Sequence, residues 1–155
     1  MTRGEKAKAL FEQGYNCCQA VTLSFSDVLG LEEKTLAALA SGFGGGMGRM
    51  REVCGAVSGM FIVADLLCGY TSPTDDESKK KTYAMIQKLA GDFKEQNGSI
   101  ICRELLGLDK PEGTHIPEKR TEQYYKKRPC SEICRIAADT AEKYFLENGI
   151  IAGKK

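Results

Sequence analysis

Seven cysteines in a chain of 155 residues are the side chains with the clearest chemical potential. They are Cys17, Cys18, Cys54, Cys68, Cys102, Cys130 and Cys134. An odd number of cysteines, in a chain without the apolar core of a signal peptide, argues against a full disulfide framework. The pattern favours metal ligation or thiol redox chemistry in a cytoplasmic protein.

Four of these cysteines stand at the starts of predicted helices: Cys17, Cys54, Cys102 and Cys130. A helix N-terminus offers amide donors and a positive dipole end, which favour an ionised thiolate. If the four starts converge, their thiolates would repel, and protonation, oxidation or a metal must relieve that repulsion. We therefore predict that these four are redox-active thiols or metal ligands in one site.

The positions of the other three cysteines give less support for a role in this site. Cys134 lies four residues after Cys130 and can face the same side of the last helix, so it is an accessory candidate. Cys18 is also an accessory candidate, although its side chain diverges by about 100° from that of its neighbour. Cys68 follows Cys54 by 14 positions, roughly 21 Å along a continuous helix, and is assigned to packing at the helix end.

The stretch FGGGMGRMREVCGAVSG (43–59) holds six glycines around Cys54. Glycine permits positive φ and a close approach of the backbone to another group. We expect Gly46, Gly55 and Gly59 to provide that approach to a bound cofactor. Gly55 and Gly59 also share one helix face, which favours tight helix packing. The stretch is not a nucleotide loop, because it lacks a Walker ending and a Gly-x-Gly-x-x-Gly register.

The elements that must position these residues are helices. Apolar residues recur at helical spacing, and strand signals are nearly absent. Capping patterns predict helices over about 3–14, 17–29, 33–41, 51–68, 74–96 and 131–147, a turn at 102–107 and a polar loop at 109–120. We expect one all-α domain over residues 1–155, an irregular bundle of about five to seven helices.

The net charge and the hydropathy pattern indicate which classes of binding partner to expect. The net charge of +1 gives no electrostatic case for nucleic acid or an anionic membrane. The most apolar stretch, 57–67, is shorter than the roughly 20 residues that a membrane helix needs. We expect a redox partner protein, whose identity the sequence does not give, and exposed helix faces that permit a homodimer. The single histidine, His115, lies in the polar loop and is not expected to be a ligand.

Four segments of the chain resemble the C-GCAxxG-C-C family of redox-active proteins. They are GYNCCQAV (14–21), FGGGMGRMREVCGAVSG (43–59), GSIICRELLG (98–107) and CSEICRIAADTAEKYF (130–145). The resemblance implies four functional cysteines at Cys17, Cys54, Cys102 and Cys130, with Gly55, Ala56 and Gly59 in the central motif. Cys18 or Cys134 could instead occupy the first or last position. A related domain in the split-Soret cytochromes accompanies an iron–sulfur centre, so the resemblance also implies a cluster.

Three functions remain open, and with them whether the protein is an enzyme. The first is an iron–sulfur cluster on the four cysteines for electron transfer or redox sensing, since thiolate ligands suit such clusters. The second is a thiol–disulfide protein that cycles disulfides among the same cysteines without metal. The third, ranked below both, is a structural zinc site in an interaction module. Short Cys-x-x-Cys spacings are absent, so the fold alone must assemble the site.

Overall fold

The protein is built from helices, as expected. The computed structural model describes residues 1–108 and 114–153. Its helices are α1 Arg3–Glu12, α2 Cys17–Leu23, α3 Ser26–Leu29, α4 Glu33–Ala40, α5 Gly44–Met47, α6 Gly55–Cys68, α7 Asp76–Asn97, α8 Cys102–Leu105, α9 Glu122–Lys127 and α10 Cys130–Glu147, with a 3-10 turn at Ser41–Phe43. The described residues form no strand, only one antiparallel bridge between Val53 and Ile101. The all-α prediction is confirmed; six helices have seven or more residues, and the shorter segments bring the count above seven.

Two helix starts are encoded locally by capping boxes. At α1 the Thr2 side chain accepts from the Glu5 N–H, and the Glu5 carboxylate accepts from the Thr2 N–H. At α2 the Asn16 side chain accepts from the Gln19 N–H at 2.9 Å, while the Gln19 side chain accepts from the Asn16 N–H at 3.1 Å. Each reciprocal pair provides side-chain acceptors for two backbone N–H groups that would otherwise lack a hydrogen-bond partner. Asn16 therefore fixes where the helix that begins with Cys17 starts.

Helix α6 forms the centre of the core. It packs against α2, α7 and α10, while α1 packs against α10 and α2. Residues 55–60 of α6 are all buried, together with Val63 and Ala64, as expected for a helix that is apolar on most of its surface. At Gly59 a Cβ would lie 2.8 Å from the Val21 Cβ, so this glycine allows α2 to pack closely on α6.

The start of α6 differs from its prediction. The helix was expected from about residue 51 but begins at Gly55, because residues 51–54 are bonded to residues 100–103 instead. Such pairing is non-local, so helical periodicity alone does not reveal it. The predicted helix over 17–29 is likewise divided into α2 and α3; at the break, the Ser24 hydroxyl donates to the Val21 carbonyl at 2.6 Å.

Smaller differences concern caps and connections. Helix α7, predicted from residue 74, begins at Asp76 and is capped by Asp75, whose carboxylate accepts from the Ser78 N–H at 3.0 Å. Helix α9 was not predicted; the Thr121 hydroxyl accepts from the Tyr124 N–H at its start. In the expected loop, residues 114–120 are non-helical, whereas residues 109–113 lie outside the described residues.

In the described part of the chain, no helix is both long and apolar enough to span a bilayer.

Candidate functional site

Four cysteines from four helix starts line one cavity. Cys17, Cys102 and Cys130 are the first residues of α2, α8 and α10, and Cys54 is the N-cap residue of α6. Their side chains border a cavity of about 50 Å³. The structure thus brings these four cysteines, separated by 28 to 48 positions in the sequence, to the wall of one cavity.

The glycine-rich stretch forms a left-handed turn next to this cavity. The turn includes the segment α5, in which Gly45 and Gly46 do not have α-helical φ and ψ. Residues 45–49 are five consecutive positions with φ between 59° and 72°. The left-handed conformation costs an L-residue about 1–2 kcal/mol, whereas glycine adopts it freely. Three of the five are glycines, and Met47 and Arg49 carry the strain. The density of glycine therefore reflects a backbone conformation that few other residues tolerate.

Backbone pairing connects this turn to the second cysteine segment. The Glu52 N–H donates to the Gly46 carbonyl at 2.9 Å, and the Glu52 carbonyl accepts from the Cys102 N–H at 2.6 Å. The Cys54 N–H in turn donates to the Ile100 carbonyl at 2.8 Å. These bonds run in the antiparallel sense and hold Cys54 and Cys102 on neighbouring chain segments.

Two glycines make room for the cysteines themselves. A Cβ at Gly46 would lie 2.6 Å from the Cys102 Cβ, and a Cβ at Gly55 would overlap the Cys17 sulfur. The expected close approach therefore exists at both positions, and it is made towards cysteine side chains. Gly59 approaches the Val21 side chain and does not line the cavity. A direct contact of any of the three with a cofactor stays a prediction.

Burial dominates the electrostatics of the cavity cysteines. It raises the pKa of Cys54 well above its ordinary value and that of Cys130 to about 12, and the proximity of the Cys17 sulfur acts in the same direction on both pKa values. Hydrogen bonds from the α6 amides at Val57 and Ala56 lower the pKa of Cys54, but burial outweighs them. The expectation that its helix start would favour ionisation of Cys54 is therefore wrong for the protein without a bound cation.

Cys102 has a specific cationic neighbour. Burial raises its pKa, and a hydrogen bond from the Arg51 guanidinium to its sulfur, 3.7 Å long, acts in the opposite direction. Arg51 is itself buried, with 6% of its surface exposed. A buried positive charge beside this sulfur stabilises negative charge at the cavity.

The structure distinguishes the paired candidates at each end of the chain. Cys17 and Cys130 line the cavity, whereas the fully buried Cys18 and Cys134 do not. The Cys134 thiol lies directly behind the site and donates to the Cys17 carbonyl at 3.8 Å. Cys18 and Cys134 are therefore core residues next to the cavity.

Cys68 lies at the opposite end of α6, where it ends the helix. It is exposed, its thiol donates to the Ala64 carbonyl at 3.4 Å, and its sulfur lies 3.3 Å from the Met85 sulfur. It is separate from the cavity, as its spacing from Cys54 indicated.

Arg120 is a cavity residue that the sequence patterns did not single out. Its guanidinium carbon lies 4.2 Å from the Phe11 ring centre and 4.9 Å from that of Tyr124. It also donates to the Phe11 and Tyr15 carbonyls, each at 3.1 Å. The aromatic pair Tyr124–Tyr125, shortly after this arginine, is the sequence signal that could have indicated a cation–π cluster.

Within residues 1–108 and 114–153, no three histidine, cysteine or carboxylate side chains are arranged to hold one metal ion.

The protein is therefore an all-α protein in which four cysteines line one cavity. The chain belongs to the family described as "Putative redox-active protein (C_GCAxxG_C_C)", whose model matches residues 15–144. The match covers most of the chain and includes all four cavity cysteines. No curated protein and no solved structure matches the chain. The protein is thus a member of a cysteine-rich, redox-active family.

Proposed function

We propose that the four cavity cysteines bind an iron–sulfur cluster that serves electron transfer or redox sensing. The observation that supports this function is the convergence of Cys17, Cys54, Cys102 and Cys130 on one cavity. Among the described residues, the lining includes no histidine or carboxylate, so cysteine is the one type of strong metal ligand there. All-thiolate ligation is characteristic of iron–sulfur clusters.

The size of the cavity is compatible with a small cluster. Its volume of about 50 Å³ equals roughly three to four water-sized spheres, and a two-iron core has four inorganic atoms. Phe11, Leu105 and Ile133 form apolar walls that would keep water from the cluster. Exclusion of water and the local dielectric are among the properties by which a protein sets a reduction potential.

The charges around the cavity favour a bound anion of this kind. Four thiolates with a cluster carry net negative charge, and Arg51 and Arg120 both line the cavity. The Arg51 hydrogen bond to Cys102 is a contact to a ligand sulfur, and such contacts tune cluster potentials. When bound, the cluster would supply one-electron transfer. Binding requires that the buried thiols lose their protons, so loading should release protons and become easier as pH rises.

A thiol–disulfide function is the second candidate, and exposure supports it. All four cavity cysteines are free thiols, and Cys17 and Cys130 are only partly buried, so a reagent can reach them. Oxidation of two thiols to a disulfide gives two electrons and two protons to an acceptor. The same cavity would then act through sulfur alone.

Anaerobic purification separates these functions. The visible spectrum, iron, acid-labile sulfide, zinc and free thiols are measured on one sample, before and after air oxidation. Bound iron and sulfide with visible absorbance support the cluster. A colourless, metal-free protein that loses and regains two thiols reversibly supports disulfide chemistry and contradicts the cluster.

A further inference from the structure

A surface cleft adjoins the thiol cavity and leads into it. The cleft has a volume of about 270 Å³, and the cavity has one of about 50 Å³. Five residues line both of them and form what we call the neck: Asn16, Gly45, Arg51, Arg120 and Tyr124. A molecule that comes from the cleft therefore passes the neck before it meets a cysteine.

The neck lies beside Cys17 and Cys130. Burial raises the pKa of Tyr124 to about 12, and the nearby Cys130 and Cys17 sulfurs act in the same direction. Burial also raises the pKa of Cys130, and the charge of Arg120 acts in the opposite direction. Effects of this kind act over short distances. Cys17 and Cys130 are also the two cavity cysteines that are only partly buried, so the neck leads to the two most accessible thiols.

One wall of the cleft is a segment without regular structure, residues 114–120, which we call the strap. Its cleft-lining residues are His115, Pro117, Glu118 and Arg120. A separate cleft of about 520 Å³ also borders the strap, at Glu118 and Lys119. Among the described residues, no backbone hydrogen bond joins the strap to another helix. Exposed segments with few such bonds open locally at low free-energy cost.

Side chains hold the strap on the protein. The Ile116 carbonyl accepts a hydrogen bond from Arg49, and the exposed Glu118 pairs with Arg128 at 2.9 Å. Residues 114–119 are all exposed, whereas Arg120 is partly buried. Arg120 therefore forms the innermost attachment of the strap.

Arg120 joins the strap to the end of α1 and the residues that follow it. Its guanidinium donates to the Phe11 and Tyr15 carbonyls, each at 3.1 Å. The guanidinium carbon also lies 4.2 Å from the Phe11 ring centre and 4.9 Å from that of Tyr124. Because this side chain both anchors the strap and lines the neck, its truncation would widen the passage to the cysteines.

We propose that the cleft is the entrance by which small molecules reach Cys17 and Cys130, and that Arg120 is its gate. While Arg120 anchors the strap, small oxidants and thiols pass the neck and bulky molecules are excluded. The entrance goes beyond the proposed function, because the same route serves the cavity whether it holds thiols, a disulfide or a cluster. Arg120 is thus a positioning residue, which acts through the width of the neck.

The test measures alkylation of the reduced, metal-free full chain by two uncharged reagents with the same reactive group. These are N-ethylmaleimide and a bulky polyethylene glycol maleimide, and peptide mass spectrometry with fragment spectra gives a rate for each cysteine. Cys68 is exposed and lies outside the cleft, so it is the internal standard. Relative to Cys68, we expect the bulky reagent to modify Cys17 and Cys130 roughly tenfold more slowly than N-ethylmaleimide does.

Two tryptophan variants test the entrance. Ser41 is exposed and lines the cleft, so Ser41→Trp places a large ring there and should slow the reaction of N-ethylmaleimide with Cys17 and Cys130 by roughly tenfold. Gln123→Trp places the same ring in the separate cleft and should leave both rates unchanged. Slower reaction in Gln123→Trp alone, or equal rates in both variants and the wild type, would overturn the entrance.

The gate is tested by Arg120→Ala, which should raise the rate of the bulky reagent at Cys130 to near that of N-ethylmaleimide. The ratio of the two rates cancels any effect of the Arg120 charge on thiol acidity, because both reagents need the same thiolate. An unchanged ratio would overturn the gate.

Cys18 and Cys134 report on unfolding in the same samples, because both are fully buried and neither lines the cavity. They should stay unmodified in Arg120→Ala. If they react, the variant has unfolded, and Arg120→Lys, which loses the planar guanidinium fork, decides by the same ratio. Iron and sulfide content of the anaerobically purified protein, measured in parallel, tests the cluster independently.

Discussion

The two ends of helix α6 carry the same residue type in opposite settings. At its N-terminus, Cys54 is 6% exposed, follows the left-handed turn and is hydrogen-bonded to the segment before Cys102. At its C-terminus, Cys68 is exposed, its thiol donates to the Ala64 carbonyl of α6, and its sulfur lies next to the Met85 sulfur of α7. Burial raises the pKa of both thiols. The property that separates them is the company of three other cysteines, so the site is defined by convergence and not by the acidity of one thiol.

The largest expected difference between the two ends is in cofactor content. Cys54→Ser removes one of the four cysteines that we propose as cluster ligands, so we expect loss of most bound iron, acid-labile sulfide and visible absorbance. Cys68→Ser removes a thiol at the far end of the helix, so its iron content and spectrum should equal those of the wild type. Both variants are purified anaerobically and compared at equal protein concentration.

Equal loss of iron in the two variants would contradict this prediction. If Cys68→Ser loses as much iron as Cys54→Ser, while far-UV circular dichroism shows both variants folded, the contrast between the two ends is wrong. If neither wild type nor variants bind iron, the same pair is compared by the number of thiols that oxidise reversibly.

A second comparison concerns glycines on two helices. Gly55→Ala places a Cβ against the Cys17 sulfur, so overpacking should lower the free energy of unfolding by about 1–3 kcal/mol. Gly91 lies inside α7, and a Cβ there meets nothing within 4 Å. Gly91→Ala should therefore raise the free energy of unfolding by roughly 0.5–1 kcal/mol. Urea denaturation followed by circular dichroism measures both. Equal changes in the two variants would show that Gly55 has no special contact.

The pH dependence of stability sharpens the role of burial. The pKa of Cys130 is raised from 9.0 to about 12 in the folded chain. The contribution of the neutral Cys130 thiol to the free energy of unfolding is complete below the pKa of the unfolded chain. It is lost as pH rises through the pKa of the folded chain. Between pH 9 and 10 this group alone should cost about 1 kcal/mol of unfolding free energy.

The control for this titration is a variant of the same residue. In reduced, metal-free protein, Cys130→Ser should show a shallower decline of the urea midpoint between pH 9 and 10 than the wild type. Cys68→Ser, which changes an exposed thiol, should follow the wild-type slope more closely. An unchanged slope in Cys130→Ser would mean that this thiol ionises equally in both states.

The smallest expected effect concerns Arg51. Because its guanidinium lowers the pKa of Cys102, Arg51→Gln should raise that pKa and slow alkylation of Cys102 by about three- to tenfold. Peptide mass spectrometry after timed iodoacetamide treatment of the metal-free protein measures this rate. Arg103→Gln is the control, since Arg103 pairs with Glu52 at 3.3 Å. An equal rate in all three proteins would contradict the contact.

Local signals in the sequence were sufficient for much of the fold. The caps at Thr2 and Asn16 are satisfied by residues three positions away, so the starts of α1 and α2 could be read directly. The four helix-start cysteines followed from such boundaries. The glycine density also indicated positive φ, although it did not indicate that Met47 and Arg49 would share that conformation.

Non-local contacts account for what the sequence did not show. The pairing of residues 51–54 with 100–103 depends on segments separated by a long helix, and it moved the start of α6 to Gly55. Arg120 enters the site through rings and carbonyls from α1 and α9, which no short motif encodes. The ionisation of Cys54 was also misjudged, because a helix-start effect is visible in sequence and burial is not.

The bridge between Val53 and Ile101 has a consequence for biosynthesis. A nascent chain that ends before residue 100 already contains Cys17 and Cys54, but the segment that pairs with residues 51–54 has not yet been translated. Closing so long a loop is also entropically slow compared with forming α1 or α2. Maturation of the cysteines, by metal delivery or by oxidation, should therefore follow translation of α10 and not accompany it.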